Sequence, residues 1–396
     1  MNLARYRDTI MAGSFLTWAF LLTFPLLSAS AALGSGNEVL LFQVAGGICY
    51  LAIAFLLGPS SDLVRRLSPA QLALLFIIYL SLSLQLHDDP SAILTGIAYT
   101  VALLVSIIAL TVLYSMPTEL VAKCLAQTSI IFAGFGVTAV ALFGWPSERH
   151  LGPIHPNSFG TVMLSAFILS QFRKDAVFVV VKIVSFLLAA SVSSRFALIG
   201  SLLALTVFEV TSKRFSLKLL ALTVMVAAGL AVFHQHISEI FALNDPARNL
   251  DSGFTGRGDE WLGALELIEQ NPFGMGFKRP PYETAGHNGY LKVILEFGIV
   301  GGGLIIALVL SIVLGALYDA LTGPNHDDDL RRFACARAAG LVALAFATFF
   351  QPQMFNLGDV HGVPFMLLLF QPAWRPFESA RLRGYGLRLA ACRAKP

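Results

Sequence analysis

Twelve apolar runs follow one another along this chain of 396 residues, near 11–33, 38–57, 69–86, 91–113, 119–144, 158–171, 177–192, 196–211, 217–235, 288–318, 333–350 and 361–373. No single water-soluble core can bury so many, whereas a bilayer accepts each as a helix whose backbone polar groups are satisfied internally. Composition agrees, with 56% of residues apolar and 13% charged, against roughly 25% charged in an ordinary soluble domain. Mean hydropathy is +0.73. The expected fold class is an all-α polytopic membrane protein with about twelve transmembrane helices. The first run is followed by many others, so it reads as a retained span and not a cleaved signal. A net charge of +3, with no basic cluster between aromatics, argues against a nucleic-acid partner. Cys49, Cys124, Cys335 and Cys392 are too scattered for a disulfide framework or a metal site.

The basic residues orient the spans. With twelve crossings both termini share a side, and 20 of the 27 Lys and Arg fall on the even-numbered loops and the ends, Arg65, Arg66, Arg173, Lys174, Arg331, Arg332 and Arg337 among them. Arg149, Arg195, Arg248, Arg257, Lys278, Arg279 and Lys292 fall on the other face. The positive-inside rule then puts both termini in the cytoplasm. The chain divides into a scaffold of nine spans (1–235), an outward polar loop (236–287), three further spans (288–373) and a basic tail (374–396) suited to the inner leaflet.

The chemistry-bearing residues gather in and around that loop. Asp259 to Gln270 can form a short amphipathic helix lying on the membrane surface, with Trp261, Leu262, Leu265 and Ile268 spaced at three and four residues. Asn271-Pro272 ends it, and Gly274 and Gly276 permit a turn closed to other residues. Lys278 and Arg279 follow, and His287-Asn288 opens the next span, where Lys292 and Glu296 stand one turn apart and can neutralise each other. Glu296 lies about 180° from His287 on an ideal helix, so it is expected to support packing near Gly298 and Gly301 and not to form a dyad with the imidazole. The runs starting at Ser158, Val177 and Phe196 have only 14 to 16 residues, short of the ~20 that span a bilayer core. Between two of them Ser193-Ser194-Arg195 makes a turn whose arginine either meets an anionic partner or snorkels to the headgroups.

These residues resemble the O-antigen ligase and polymerase superfamily of bacterial inner-membrane enzymes. The shared pattern is Ser194-Arg195 at a helix end, Arg257 with Trp261, Asn271-Pro272-Phe273-Gly274-Met275-Gly276, and His287-Asn288 followed by Glu296-Phe297-Gly298; Gly152-Pro153-Ile154-His155-Pro156-Asn157 matches the loop before the sixth span. The set runs in the expected order through the central half of the chain. The loop here is compact, with about thirty residues between Arg257 and His287.

The resemblance implies a GT-C-like glycosyltransferase that moves a glycan from undecaprenyl diphosphate to an acceptor hydroxyl on a glycolipid or a lipid-linked sugar, at the periplasmic face of the inner membrane. Either a ligase, loading polysaccharide onto lipid A core, or an O-antigen or exopolysaccharide polymerase fits; a lipid-linked sugar transporter would need internally repeated halves, which are absent. His287 is the expected base, since an imidazole near pKa 6.5 is partly neutral at periplasmic pH. Arg195 and Arg257 suit the diphosphate, each charge-assisted hydrogen bond being worth about 1.5–3 kcal/mol. Lys278, Arg279, Asn288, His155, Asn157 and Trp261 are candidates for substrate contacts, with His155 open between an acceptor contact and a turn; Gly274, Gly276, Glu296 and Gly298 are candidates for structure. No cofactor is expected. His87-Asp88-Asp89 and Asp259-Glu260 are conceivable divalent-ion ligands. The first outward loop offers only Glu38, which favours a metal-independent reaction.

Overall fold

The computed structural model describes residues 3–23, 37–57, 90–146, 151–192, 194–212, 257–276, 287–323, 328–354 and 362–369. The expected spans near 69–86 and 217–235, His87-Asp88-Asp89, Lys278, Arg279 and the tail lie outside the described residues. The helices are α1 (Leu3–Leu21), α2 (Asn37–Leu56), α3 (Pro90–Leu113), α4 (Thr118–Phe143), α5 (Pro156–Leu169), α6 (Ala176–Ser191), α7 (Arg195–Thr211), α8 (Arg257–Gln270), α9 (Gly289–Thr322), α10 (Asp328–Ala347) and α11 (Val363–Leu369). A 3-10 turn, Ser170–Phe172, prolongs α5. No strand forms among the described residues, where Leu151 and Ile154 make one isolated bridge.

By length and composition α4 and α9 are the two helices among the described residues able to cross a membrane alone. The outer faces carry the same signal: Val177, Val180, Ile183 and Leu187 on α6, and Val300, Leu304, Leu314 and Tyr318 on α9, are all exposed. Stripes of that size would drive association in water, whereas lipid tails solvate them. Two helices begin earlier than their apolar runs suggest. α1 starts at Leu3, and α10 at Asp328, whose carboxylate and that of Asp329 sit in the first turn, where the helix dipole favours negative charge.

The core is a bundle of α4, α5, α6, α7 and α10, with α10 laid closely along α7 and α5 wedged between α4 and α6. Small residues set these approaches. Gly136 of α4 meets Met163 and Leu188, and Gly340 of α10 meets Ile168 and Leu368, each so closely that a Cβ would fall within 3 Å. α1, α2 and α3 pack beside this core, with Phe15, Trp18 and Tyr50 in mutual aromatic contact.

The bundle has two chemically distinct ends. One gathers Arg331, donating to the Ser212 carbonyl at 2.7 Å, and Arg332, donating to the Arg173 carbonyl at 2.9 Å and lying over the Phe208 ring. Phe172 and Phe333 meet edge to face beside them. Arg337, counted with the loop charges by sequence, is instead buried within α10: its Nε donates to the Leu368 carbonyl at 3.2 Å, and the Tyr114 hydroxyl donates to the neighbouring Leu367 carbonyl. Both close the carbonyl end of α11, a position where a cation is favoured. The other end, where α5, α7 and α9 begin, holds the candidate site.

Candidate functional site at the start of three helices

Pro156 stands at the first position of α5, where its missing N–H costs nothing. His155 caps that helix, its Nδ1 accepting from the Asn157 N–H at 3.2 Å, and its side chain is exposed. The turn reading of His155 thus has a specific atom behind it. One turn on, the Thr161 hydroxyl donates to the Asn157 carbonyl at 3.0 Å. Beside it Gly160 faces Ser194 so tightly that an added Cβ would stand 2.0 Å from the Ser194 Oγ. Ser194 directly precedes α7, and Arg195, half-buried, is the first residue of that helix.

The third helix joins this cluster through a turn the sequence reading did not single out. After α10 the chain bends through Thr348 to Gln353. The Gly289 N–H donates to the Thr348 carbonyl at 2.8 Å, and the Pro352 Cα lies 3.2 Å from where a Gly289 Cβ would be. Gln353 Nε2 donates to Thr161 Oγ1 at 3.2 Å, across a separation of 192 residues. One buried turn therefore touches both α5, one turn from Asn157, and α9, one residue from Asn288 and two from His287. His287 is half-buried, and Asn288 caps α9, its Oδ1 accepting from the Tyr290 and Leu291 N–H groups at 3.0 and 3.2 Å. The capping geometry gives Asn288 a structural duty where sequence suggested a substrate contact. Two glutamines flanking a proline at the end of an apolar run were the signal available in the sequence for this turn.

α8 is fastened to α9 by main chain. α9 is not continuous: Gly298 interrupts it at φ +76°. Into that break docks the turn after α8, with Met275 N–H to the Leu295 carbonyl at 2.7 Å, Gly276 N–H to the Glu296 carbonyl at 3.1 Å and Ile299 N–H to the Pro272 carbonyl at 2.9 Å. Gly274 adopts φ +92°, and a Cβ on it would meet the Gly298 N at 2.5 Å. The Asn-Pro-Phe-Gly-Met-Gly and Glu-Phe-Gly segments are thus two halves of one backbone-paired joint. Glu296 is buried there, with Oε1 4.0 Å from Lys292 Nζ.

Above the joint, Ala264 and Ile268 of α8 pack against Leu295, with Leu291 and Ile294 alongside. The turn sits at residues 295–299 and the helix contacts reach back to 291, so α8 runs antiparallel to the first segment of α9. Arg257, the first residue of α8, therefore lies towards the His287 end. Of the expected apolar stripe, Ile268 is buried, Trp261 half-buried and Leu262 and Leu265 exposed, while the contact with α9 runs through Ala264, Ile268 and the partly buried Leu267. The small Ala264 lets the helix approach α9, which a search for large apolar residues overlooks.

The electrostatics of this end are mixed, because α8 also starts on this side and carries Asp259 and Glu260 in its first turn. None of α5, α7 and α9 has an acidic residue in its own first turn, so the partial positive charges of their N-termini are not offset within those helices. α4, α8 and α10 each carry acid there. Arg195 adds a full positive charge at the start of α7. Three N-termini without acid of their own and the Arg195 guanidinium give this side donors suited to an anion.

No curated protein matches the chain. A family model described as O-antigen ligase matches residues 163–306, from within α5 to just past the Gly298 break. The match takes in Arg195, Arg257, the glycine turn and His287, and begins after His155 and Asn157. Members of that family are membrane-integral, glycosyltransferase-like ligases and polymerases. Residues 163–306 of this chain are thus similar to an O-antigen ligase domain.

Proposed function

We propose that the protein is a membrane glycosyltransferase of the GT-C kind that transfers a glycan from undecaprenyl diphosphate to an acceptor hydroxyl at the periplasmic face of the inner membrane. The observation that carries the reading is the gathering of the α5, α7 and α9 N-termini with Arg195 and His287 at one end of the bundle, within or beside the residues similar to an O-antigen ligase domain. A lipid diphosphate needs charge neutralisation to leave, and this end supplies it.

In the proposed reaction the acceptor oxygen attacks the anomeric carbon of the donor sugar. The C1–O bond to the diphosphate breaks, its electron pair stays on the diphosphate oxygen, and Arg195 and Arg257 neutralise the departing undecaprenyl diphosphate. His287 takes the acceptor hydroxyl proton. General-base assistance of this type is worth about 10²–10⁴ in rate, and each arginine about 1.5–3 kcal/mol where its contacts tighten in the transition state. Lys278 and Arg279 are assigned to phosphates of donor or acceptor, and the exposed His155 with Asn157 to the acceptor.

The test is transfer in reconstituted vesicles. His287→Ala is expected to lower the rate by about 10²–10⁴, and Arg195→Ala by roughly 10–150-fold through lost charge-assisted bonds. Near wild-type turnover in both variants would end the proposal. A ligase is the favoured form: a deletion strain should accumulate lipid-linked polymer free of lipid A, whereas a single capped repeat would assign the protein as the polymerase.

A further inference from the structure

We infer that the Gln351-Pro352-Gln353 turn is a saccharide-binding element of this site, with the Gln351 carboxamide as its hydrogen-bonding group; the inference rests on the glycosyltransferase reading above. Both backbone N–H groups of the turn are committed. The Gln351 N–H donates to the Ala347 carbonyl at 2.9 Å, and the Gln351 carbonyl accepts from the Gln353 N–H at 2.7 Å, a three-residue turn centred on a proline whose φ is preset for it. Gln351 and Gln353 are completely buried. Yet neither carboxamide atom of Gln351, nor Oε1 of Gln353, nor the adjacent Oγ of Ser194 has a hydrogen-bond partner among the described residues.

An amide that has lost water without gaining a partner destabilises the fold, so an apolar residue of the same shape would be better for stability alone. A local rule broken beside a site points to function. The chemistry of the group selects the ligand. A carboxamide offers donors and an acceptor but no charge, which matches sugar hydroxyls, themselves both donors and acceptors. It does nothing to neutralise a diphosphate, for which the cations are already at hand. The position agrees, since the turn bridges the Asn157–Thr161 start of α5 and the His287–Gly289 start of α9.

Gln351→Met keeps the volume and removes the hydrogen bonding. In full-length protein in lipid nanodiscs, it should weaken binding of the undecaprenyl diphosphate-linked glycan extracted from host membranes about tenfold, the loss of one or two hydrogen bonds. Binding of undecaprenyl diphosphate without sugar should stay unchanged, and the melting temperature without ligand should rise. Unchanged affinity for the glycan lipid, an equal loss for both lipids, or a fall in melting temperature or loss of folding would each overturn the inference; the last two would make the amide structural. A wild-type protein that binds neither lipid and transfers nothing would instead remove the glycosyltransferase reading itself.

Discussion

Gly298 shows how much one backbone angle decides here. Its φ of +76° opens the break in α9 that receives the turn after α8, and a Cβ would stand 2.5 Å from the Phe273 carbonyl carbon. Gly298→Ala combines a strained left-handed backbone with a backbone clash, and should cost more than the roughly 1–3 kcal/mol of strain alone. Thermal melting in detergent should show a markedly less stable protein; an unchanged midpoint would mean the joint is not fixed as described. Asn288 makes a finer case. Asn288→Ala removes a cap worth about 0.5–2 kcal/mol, while Asn288→Asp keeps the accepting oxygen and should retain most of the stability. If Asn288→Asp melts as early as Asn288→Ala, the amide has a role beyond the cap.

Among the elements, α8 was legible as a helix from its spacing and its Asn-Pro stop, and the glycine turn from its two glycines. The buried face was not, because Leu262 and Leu265 outrank Ala264 in any apolar pattern, and only the surface of α9 decides which stripe fits. Ala264→Leu should overpack the contact with Leu295 by about 1–3 kcal/mol and increase proteolysis in the loop flanking α8. Leu265→Ala, on the exposed face, should move stability by no more than about 0.5 kcal/mol. Reversed sensitivities would mean that Leu265, and not Ala264, packs against α9. The helix starts carry a parallel lesson: His287 was recognisable as a polar residue at the end of an apolar run, but not as standing two residues from a glycine bonded to the turn of residues 348–353.

For the molecule as a whole, the two ends of the bundle differ in charge chemistry, which the positive-inside rule turns into a prediction of sidedness. In a background with the four cysteines replaced, Asp259→Cys should react with a membrane-impermeant maleimide in intact cells, and Asp328→Cys only after lysis; the opposite pattern would invert the orientation. The proposed charge neutralisation by arginines further predicts that transfer survives EDTA, and loss of activity restored by Mg²⁺ or Mn²⁺ would overturn it. What the sequence by itself determined is the membrane class, the helical composition and the set of polar residues, because hydropathy, glycine and proline act locally. The tertiary structure alone decided that the glycine turn closes the α9 break, that Arg337 holds the end of α11, and that Gln351-Pro352-Gln353 joins α5 to α9. Those are contacts between residues far apart in sequence, set by how closely small side chains let helices approach, and no local pattern encodes that distance.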